Sequence, residues 1–202
     1  MTDERKVEVV DRELCYQGFF RLERVHLRHS LHGGGTSPVL VREILEKGDV
    51  VALLPYDPVA DTVVMIEQFR VGAMGQPRGP WLLEIVAGLM EPGEAPEDVA
   101  RREAMEEANL VVRRIDPIMQ FYATPAKSSE FTHLFCGEVD ASRAGGVHGL
   151  AHEGEDIRVV PMPATEAMAL VESGRIDSAW PIIALMWLRT HRERLRAAWS
   201  AE

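Results

Sequence analysis

Apolar residues fall into short runs through the first half of the chain and again beyond residue 118. Residues 7–46 read as strands: an apolar-rich start at 7–10, a second run at 19–31, and a third at 38–45. The turn His32-Gly33-Gly34-Gly35 between the last two predicts a hairpin. Few bulky residues occupy this stretch for its length, so it is expected to pack on something else rather than fold alone. From Asp49 the texture changes. Residues 50–54 form a buried-strand run closed by Pro55-Tyr56-Asp57-Pro58. Residues 63–66, continuing through Glu67, Gln68, Phe69 and Arg70, form another, and a Gly/Pro-rich loop at 72–80 leads to a third at 81–87. Residues 96–108 are dense in Ala, Glu and Arg, with Pro96 suited to a helical first turn. Strand runs return at 118–122, 131–139 and 157–160, and two helices close the chain, at 165–173 before Gly174 and at 178–198. Strands before, between and after helices predict a layered α/β fold. The division expected is a β subdomain at 1–48 and a larger domain at 49–202.

Composition narrows the chemistry. At 202 residues, 46% hydrophobic and 27% charged, the chain has the make-up of a globular protein able to bury a sizeable core. A net charge of −10 argues against a sequence-independent grip on nucleic acid. It still permits an anionic substrate where a cation and a few arginines reverse the field in one cleft. Cys15 and Cys136 fit no metal-ligand spacing and read as reduced thiols of an intracellular protein. Met1-Thr-Asp-Glu-Arg-Lys has no apolar stretch behind it resembling a signal peptide, and the apolar run at 180–188 is too short to cross a bilayer. The expectation is a soluble cytoplasmic protein with no membrane partner.

The stretch Gly88-Leu-Met-Glu-Pro-Gly-Glu94-Ala-Pro-Glu-Asp-Val-Ala-Arg-Arg102-Glu103-Ala104-Met-Glu106-Glu107-Ala-Asn109-Leu110 carries the chemistry. A strand ends at Ala87-Gly88, a tight loop holds Pro92-Gly93, and the helix presents Glu103, Glu106 and Glu107. Positions three and four apart share a helix face, so Glu103 and Glu107 stack one turn apart with Glu106 beside them. Three carboxylates on one patch repel, and divalent cations with a preference for oxygen ligands remove that penalty. Arg102 and Glu94 are placed to brace the loop against the helix. A solvated Glu/Arg helix is the bland alternative, but the spacing resembles the Nudix box: Gly, five residues, Glu, seven residues, Arg-Glu, an aliphatic, any residue, Glu-Glu, any residue, Gly, an aliphatic. Six such fixed residues would align by chance at about 10⁻⁶ per position. Asn109 stands where the pattern has Gly; it follows the helix, where a left-handed backbone is wanted and Asn is the next most tolerant residue. Ala104 is a small occupant of the aliphatic slot.

Over nearly the whole chain the sequence is similar to bacterial ADP-ribose pyrophosphatases of the Nudix superfamily. The matching segments include Gly18-Phe19-Phe20, Val41-Arg42-Glu43, Ile66-Glu67-Gln68-Phe69-Arg70 and Trp81-Leu82-Leu83-Glu84. Further on come Gly137-Glu138-Val139-Asp140, His148-Gly149-Leu150-Ala151 and Glu153-Gly154-Glu155-Asp156-Ile157-Arg158. The resemblance implies a Nudix-type α/β/α sandwich with a mixed sheet, plus a small N-terminal antiparallel β subdomain. It implies metal binding by Glu103 and Glu107 with the backbone carbonyl of Ala87, Glu106 completing the shell, and Mg2+ as the ion with Mn2+ as the alternative. Glu153, on a Gly-rich loop, matches the general base, with Glu155 and Asp156 as neighbours able to serve instead; Glu106 and Arg102 complete the catalytic set. Arg42 and Arg70 match substrate-holding positions, Phe19 an aromatic that stacks on adenine, and Glu130 a residue near the scissile phosphates. The implied reaction is hydrolysis of ADP-ribose to AMP and ribose 5-phosphate. The implied assembly is a homodimer whose N-terminal strands lend Phe19 and Arg42 to the partner's site. Two alternatives stand beside this: a hydrolase of another nucleoside diphosphate sugar, such as an ADP- or GDP-hexose, and a sensor that binds ADP-ribose without cutting it. A sensor is expected to have lost box carboxylates, and here all four Glu positions are filled.

Overall fold

A computed structural model describes residues 5–199. The chain divides into two compact units, one made of the chain up to Asp49 together with Tyr122–Phe131, the other of Val50–Phe121 and the chain from Thr132 onward.

In the first unit, β1 (Val7–Gln17), β2 (Arg21–His29) and β3 (Leu40–Glu46) form an antiparallel sheet in the order β1-β2-β3. Gly34 and Gly35 take φ of +88° and +80°, so the glycine run makes the β2–β3 turn as its sequence predicts. β1 runs well past residue 10, through Asp11-Arg12-Glu13, where the apolar pattern breaks. Cross-strand ion pairs sustain it: Arg12 to Glu23 at 2.7 Å and Arg24 to Glu13 at 2.9 Å. Every residue of β1 is exposed. The segment Tyr122–Phe131 joins this unit through backbone bonds, Leu45 N–H donating to the Lys127 carbonyl at 2.8 Å and Ser129 N–H to that of Leu45 at 3.3 Å.

The second unit is built on β4 (Val50–Asp57), all eight residues of which are buried. Around it lie β5 (Thr62–Phe69), β6 (Trp81–Glu84), β7 (Val86–Leu89), β8 (Ile115–Tyr122), β9 (Phe131–Glu138), β10 (Val147–His148) and β11 (Ile157–Pro163). The sheet runs β10-β11-β5-β4-β9-β8, with β6 on β5 and β7 on β4. It is mixed, since β4 pairs parallel with β9 and antiparallel with β5 and β7. Period-two alternation sends the two faces of β4 to two cores. Val51 and Leu53 meet Val99, Ala100, Ala104 and Ala108 of α1 (Pro96–Ala108). Ala52, Leu54 and Tyr56 meet Ala164 and Ala167 of α2 (Ala164–Glu172) and Ala184, Leu185 and Leu188 of α3 (Ala179–Trp199). The result is an α/β/α sandwich, and the fold class implied by the resemblance holds. The run at 81–87 becomes two strands rather than one: its first part pairs with β5 and the rest, past Ile85, with β4. Likewise β4 continues through Pro55, because β9 pairs alongside it as far as Tyr56 and Glu138.

One polar staple ties α3 to the β4–β5 turn. Asp61, at φ +54°, accepts a hydrogen bond from the Tyr56 hydroxyl at 2.8 Å and from Arg192 Nε at 2.6 Å. Among the described residues, no helix is long and apolar enough to cross a membrane.

Candidate active site

The site is organised by α1 lying against β7. α1 starts at Pro96 and ends in a left-handed cap at Asn109, φ +53°, whose N–H bonds the Met105 carbonyl at 3.0 Å. The conformation that favours Gly there is taken by Asn, as its side chain permits. The next residue, Leu110, bonds the Ala104 carbonyl at 3.0 Å and is buried, so the substitution costs the motif none of its shape.

Glu103 and Glu107 face inward, 9% and 2% exposed, while Glu106 is half-buried beside them. Glu107 Oε2 accepts the Ala87 N–H at 3.0 Å, which fixes the strand carrying the Ala87 carbonyl against the helix. Burial pushes the Glu107 carboxyl up to about 8, with the charges of Glu103 and Glu155 adding to the rise and Arg70 opposing it. Burial likewise pushes Glu103 up to about 6, against the pull of Arg102. Two carboxylates are thus held where ionisation is costly without a cation. Gly88 is what lets Glu103 lie there. A Cβ on Gly88 would sit 1.7 Å from Glu103 Oε1 and 1.9 Å from Cδ. Gly88 lies within β7, so the glycine that opens the motif serves a close approach and not a turn.

Arg102 knits the motif together. Its Nη1 donates to Glu103 Oε1 at 2.7 Å and Glu106 Oε2 at 3.1 Å, its Nη2 to the Leu89 carbonyl at 3.3 Å, and its Nε lies 3.5 Å from Glu94 Oε1. Glu94 in turn accepts the Glu91 N–H at 2.8 Å, and that bond, with Arg102, holds its carboxyl below the usual range. Loop and helix are therefore braced through Arg102 and Glu94, as the spacing suggested.

The loop after β10 reaches α1 through Gly149 N–H, which donates to the Glu106 carbonyl at 3.3 Å. Within it Glu155 is folded inward, accepting the Leu150 N–H at 2.9 Å beneath Gly149, where φ is +102°. Its charge is felt at both Glu103 and Glu107. Glu153 instead projects outward, its side chain 56% exposed and 3.7 Å from His152 Nε2. The sequence names both acids on this loop; which one faces the helix depends on the turn at Gly149, which no local pattern reveals.

Arg70, at the end of β5, forms an ion pair at 2.6 Å with the buried carboxylate of Glu84. The remaining sequence-predicted residues belong to the first unit. Phe19 sits in the bend between β1 and β2, exposed, with Lys47 Nζ 3.6 Å over its ring and Phe20 edge-on at 4.9 Å. Arg42 is exposed on β3, and Glu130 is half-buried, its carboxyl raised by burial.

Among the described residues no three His, Cys, Asp or Glu side chains converge into a complete metal cage. The donor set nonetheless fits a hard divalent cation. Two buried carboxylates beside the strand of Ala87 offer hard oxygen donors, and such ions also take water and phosphate oxygens as ligands.

A family profile described as NUDIX domain matches residues 46–179. The chain is 50% identical over 194 residues to the ADP-ribose pyrophosphatase of Escherichia coli strain K12, covering 96% of this chain and 93% of that protein. It is 41% identical over 200 residues to the ADP-ribose pyrophosphatase of Haemophilus influenzae, covering 98% and 92%. It is 33% identical over 188 residues to the GDP-mannose pyrophosphatase of Yersinia enterocolitica, covering 92% and 96%. A solved structure titled "Crystal structure of ADP compounds hydrolase" superposes with a TM-score of 0.70 at 22% identity over 96% of both chains, a likeness of fold. With the motif's glycine, arginine and four glutamates in one braced arrangement and the profile spanning most of the chain, the chain belongs to the NUDIX domain family.

Proposed function

We propose that this protein is a metal-dependent ADP-ribose pyrophosphatase, hydrolysing the diphosphate of ADP-ribose to AMP and ribose 5-phosphate. The observation that carries the chemistry is the buried pair Glu103 and Glu107 set against Ala87. The substrate follows from the names of the relatives that share 50% and 41% of its residues. Glu103, Glu107 and the Ala87 carbonyl hold the cation, with Glu106 at the rim of the shell; Mg2+ is the proposed ion, Mn2+ its substitute. When bound, such an ion neutralises charge on the diphosphate oxygens and acidifies a water.

The chain's own residues do the rest. Arg102 fixes Glu103 and Glu106 in place through the bonds already described and so keeps the carboxylates preorganised. Arg70 and Arg42 grip the diphosphate and terminal ribose with planar, permanently charged groups. Phe19, an exposed ring with Lys47 over it, is assigned the stacking on adenine, and Glu130 a role near the scissile phosphates. Glu153 takes the proton of the attacking water, its exposure suiting an acid on a loop that closes over substrate. The N-terminal unit is the dimerisation subdomain. Val7, Val9, Leu14 and Tyr16 on β1 are 50% to 68% exposed, an apolar strand that a second copy of the chain would cover. Phe19 and Arg42 then act in the partner's site. Cys15 and Cys136 are free thiols, in keeping with a cytoplasmic enzyme.

The Yersinia relatives, named GDP-mannose pyrophosphatases, support a second reading in which another nucleoside diphosphate sugar is preferred. Steady-state hydrolysis of a panel (ADP-ribose, ADP-glucose, GDP-mannose, UDP-glucose) with Mg2+ decides between them. ADP-ribose is expected to give the highest kcat/KM; a GDP-mannose value above it would overturn the assignment. Retention of all four motif glutamates speaks against a non-cutting sensor.

A further inference from the structure

Arg70 follows directly on β5, and its N–H donates to the Pro80 carbonyl at 2.7 Å, so Arg70 stands opposite Pro80 at the open end of the β5–β6 hairpin. Glu84 stands opposite Ile66, four positions further in, and Gln68 and Leu82 face each other between them. Side chains two apart share a face of a sheet, so Arg70, Leu82 and Glu84 lie on one side. Four positions along a strand span about 13 Å, yet Arg70 Nε lies 2.6 Å from Glu84 Oε2. The arginine therefore folds back along the sheet over Leu82 instead of extending from the strand end into solvent. It folds toward the strand that leads through Ile85 and Val86 to Ala87, and its charge is felt at Glu107.

Glu84 is an odd occupant of this place. It is 6% exposed, and a buried carboxylate beside a site for a diphosphate weakens anion binding by its charge alone. Its contribution has to be something other than charge. The ion pair uses Nε; among the described residues no hydrogen bond engages either Nη of Arg70. Both Nη groups are left as an open fork, and Arg70 lines, with Glu84, Leu82, Gln76 and Asp177, a cleft of about 420 Å³. An arginine held at Nε presents two parallel N–H donors with the spacing of a phosphate edge.

We propose that Glu84 is a positioning residue that turns Arg70 back along the β5–β6 face and aims its free Nη fork at the substrate diphosphate. This rests on the reading of Arg70 as a substrate-holding residue and adds what makes it one. A flexible arginine at a strand end would lose rotamer entropy on gripping phosphate; the Glu84 pair makes that cost part of folding instead.

The test is a double-mutant cycle read by calorimetry with α,β-methylene ADP-ribose, which cannot be cut, in the presence of chelator and again with Mg2+. Glu84→Leu is expected to weaken binding roughly 10- to 100-fold, the range seen when an outer partner of a ligating side chain is removed. Arg70→Ala should do the same, and Arg70→Ala with Glu84→Leu no more than Arg70→Ala alone, because Glu84 acts through the arginine. Glu84→Gln, whose amide oxygen still accepts from Nε, should stay close to wild type. Unfolding temperature, measured on each variant, separates these effects from general damage. If Glu84→Leu binds as well as wild type or better, or if the two losses add in the double variant, the proposal is overturned. Arg70→Lys tests it without touching the buried position. Lysine keeps the charge but cannot hold Glu84 and present a fork together, so it should bind as weakly as Arg70→Ala; wild-type binding by Arg70→Lys also overturns it. Failure of wild type to bind the analogue would instead count against the ADP-ribose assignment. The cycle would then be read with the nucleoside diphosphate sugar that the panel prefers.

Discussion

Replacing Gly88 by alanine is expected to disable the enzyme without unfolding it. The added Cβ would stand 1.7 Å from Glu103 Oε1, 1.9 Å from Cδ and 2.6 Å from Cγ. Ordinary contact between such atoms needs about 3.5 Å, so the carboxylate must retreat by roughly 1.5 Å or more. The backbone has no reason to object. Gly88 is not among the glycines at positive φ, and its strand, β7, stays paired to β4 through Val51. Alanine in a strand interior is about 0.5–1 kcal/mol better than glycine, which offsets part of the cost of moving a side chain already 9% exposed. The displaced group is one of the two proposed ion-holding carboxylates, and it also loses its 2.7 Å bond to Arg102. A misplacement of about 1 Å in a catalytic arrangement costs on the order of 10²-fold in rate, so kcat should fall by about that factor or more. The assay couples the reaction to alkaline phosphatase, which releases phosphate from both products but not from ADP-ribose. It is run across a Mg2+ titration, with unfolding temperature followed in parallel. A Gly88→Ala protein with kcat and Mg2+ dependence within about threefold of wild type, a margin far inside that 10²-fold estimate, would refute the close-approach argument. A large fall in unfolding temperature would show that the glycine serves the strand.

Three further outcomes follow from the same geometry. Chelator should abolish turnover and Mg2+ restore it, and Glu103→Gln should be nearly inactive yet folded by circular dichroism, since it relieves repulsion in a crowded acidic patch; full activity would remove the ion assignment. Glu153→Gln should lower kcat by about 10² to 10⁴ with KM and Mg2+ affinity little changed, whereas Glu155→Gln should change Mg2+ dependence, because Glu155 faces Glu103 and Glu107; the reverse pattern in a Mg2+ titration moves the base to Glu155. Burial resists ionisation of Asp61, but bonds from Arg192 and Tyr56 outweigh it and hold its carboxyl below the ordinary value. That stability is fully present above about pH 3.9 and is lost as pH falls through the lowered folded-state value. Asp61→Asn, which keeps the left-handed backbone, should therefore cost about 1–2 kcal/mol near neutrality and show a smaller loss on acidification. Equal acid sensitivity of the two proteins in urea unfolding would dismiss the staple.

What the sequence made legible is what repeats over short distances. Helical spacing alone places Glu103, Glu106 and Glu107 on one patch, and the Arg102–Glu94 brace needs only that helix and the preceding turn. The unbroken apolar runs at 50–54 and 63–66 likewise read as strands buried on both faces, and their place among helices predicts a layered fold. What stayed hidden depends on long-range pairing. Residues 81–87 look like one strand because they form one nearly continuous apolar run, and only the register shows the chain passing from β5 to β4. The association of Tyr122–Phe131 with the first unit rests on backbone bonds to Leu45, which carry no side-chain signature. Glu84 was legible as part of a matching segment but silent about its purpose, since an isolated acid after Trp-Leu-Leu reads as an ordinary strand position. Its meaning comes from a partner fourteen residues earlier that doubles back across the sheet. Gly88 is the sharpest case: in sequence it marks the end of a strand before a Pro-Gly loop, whereas in the fold it is the space into which a carboxylate from the facing helix fits.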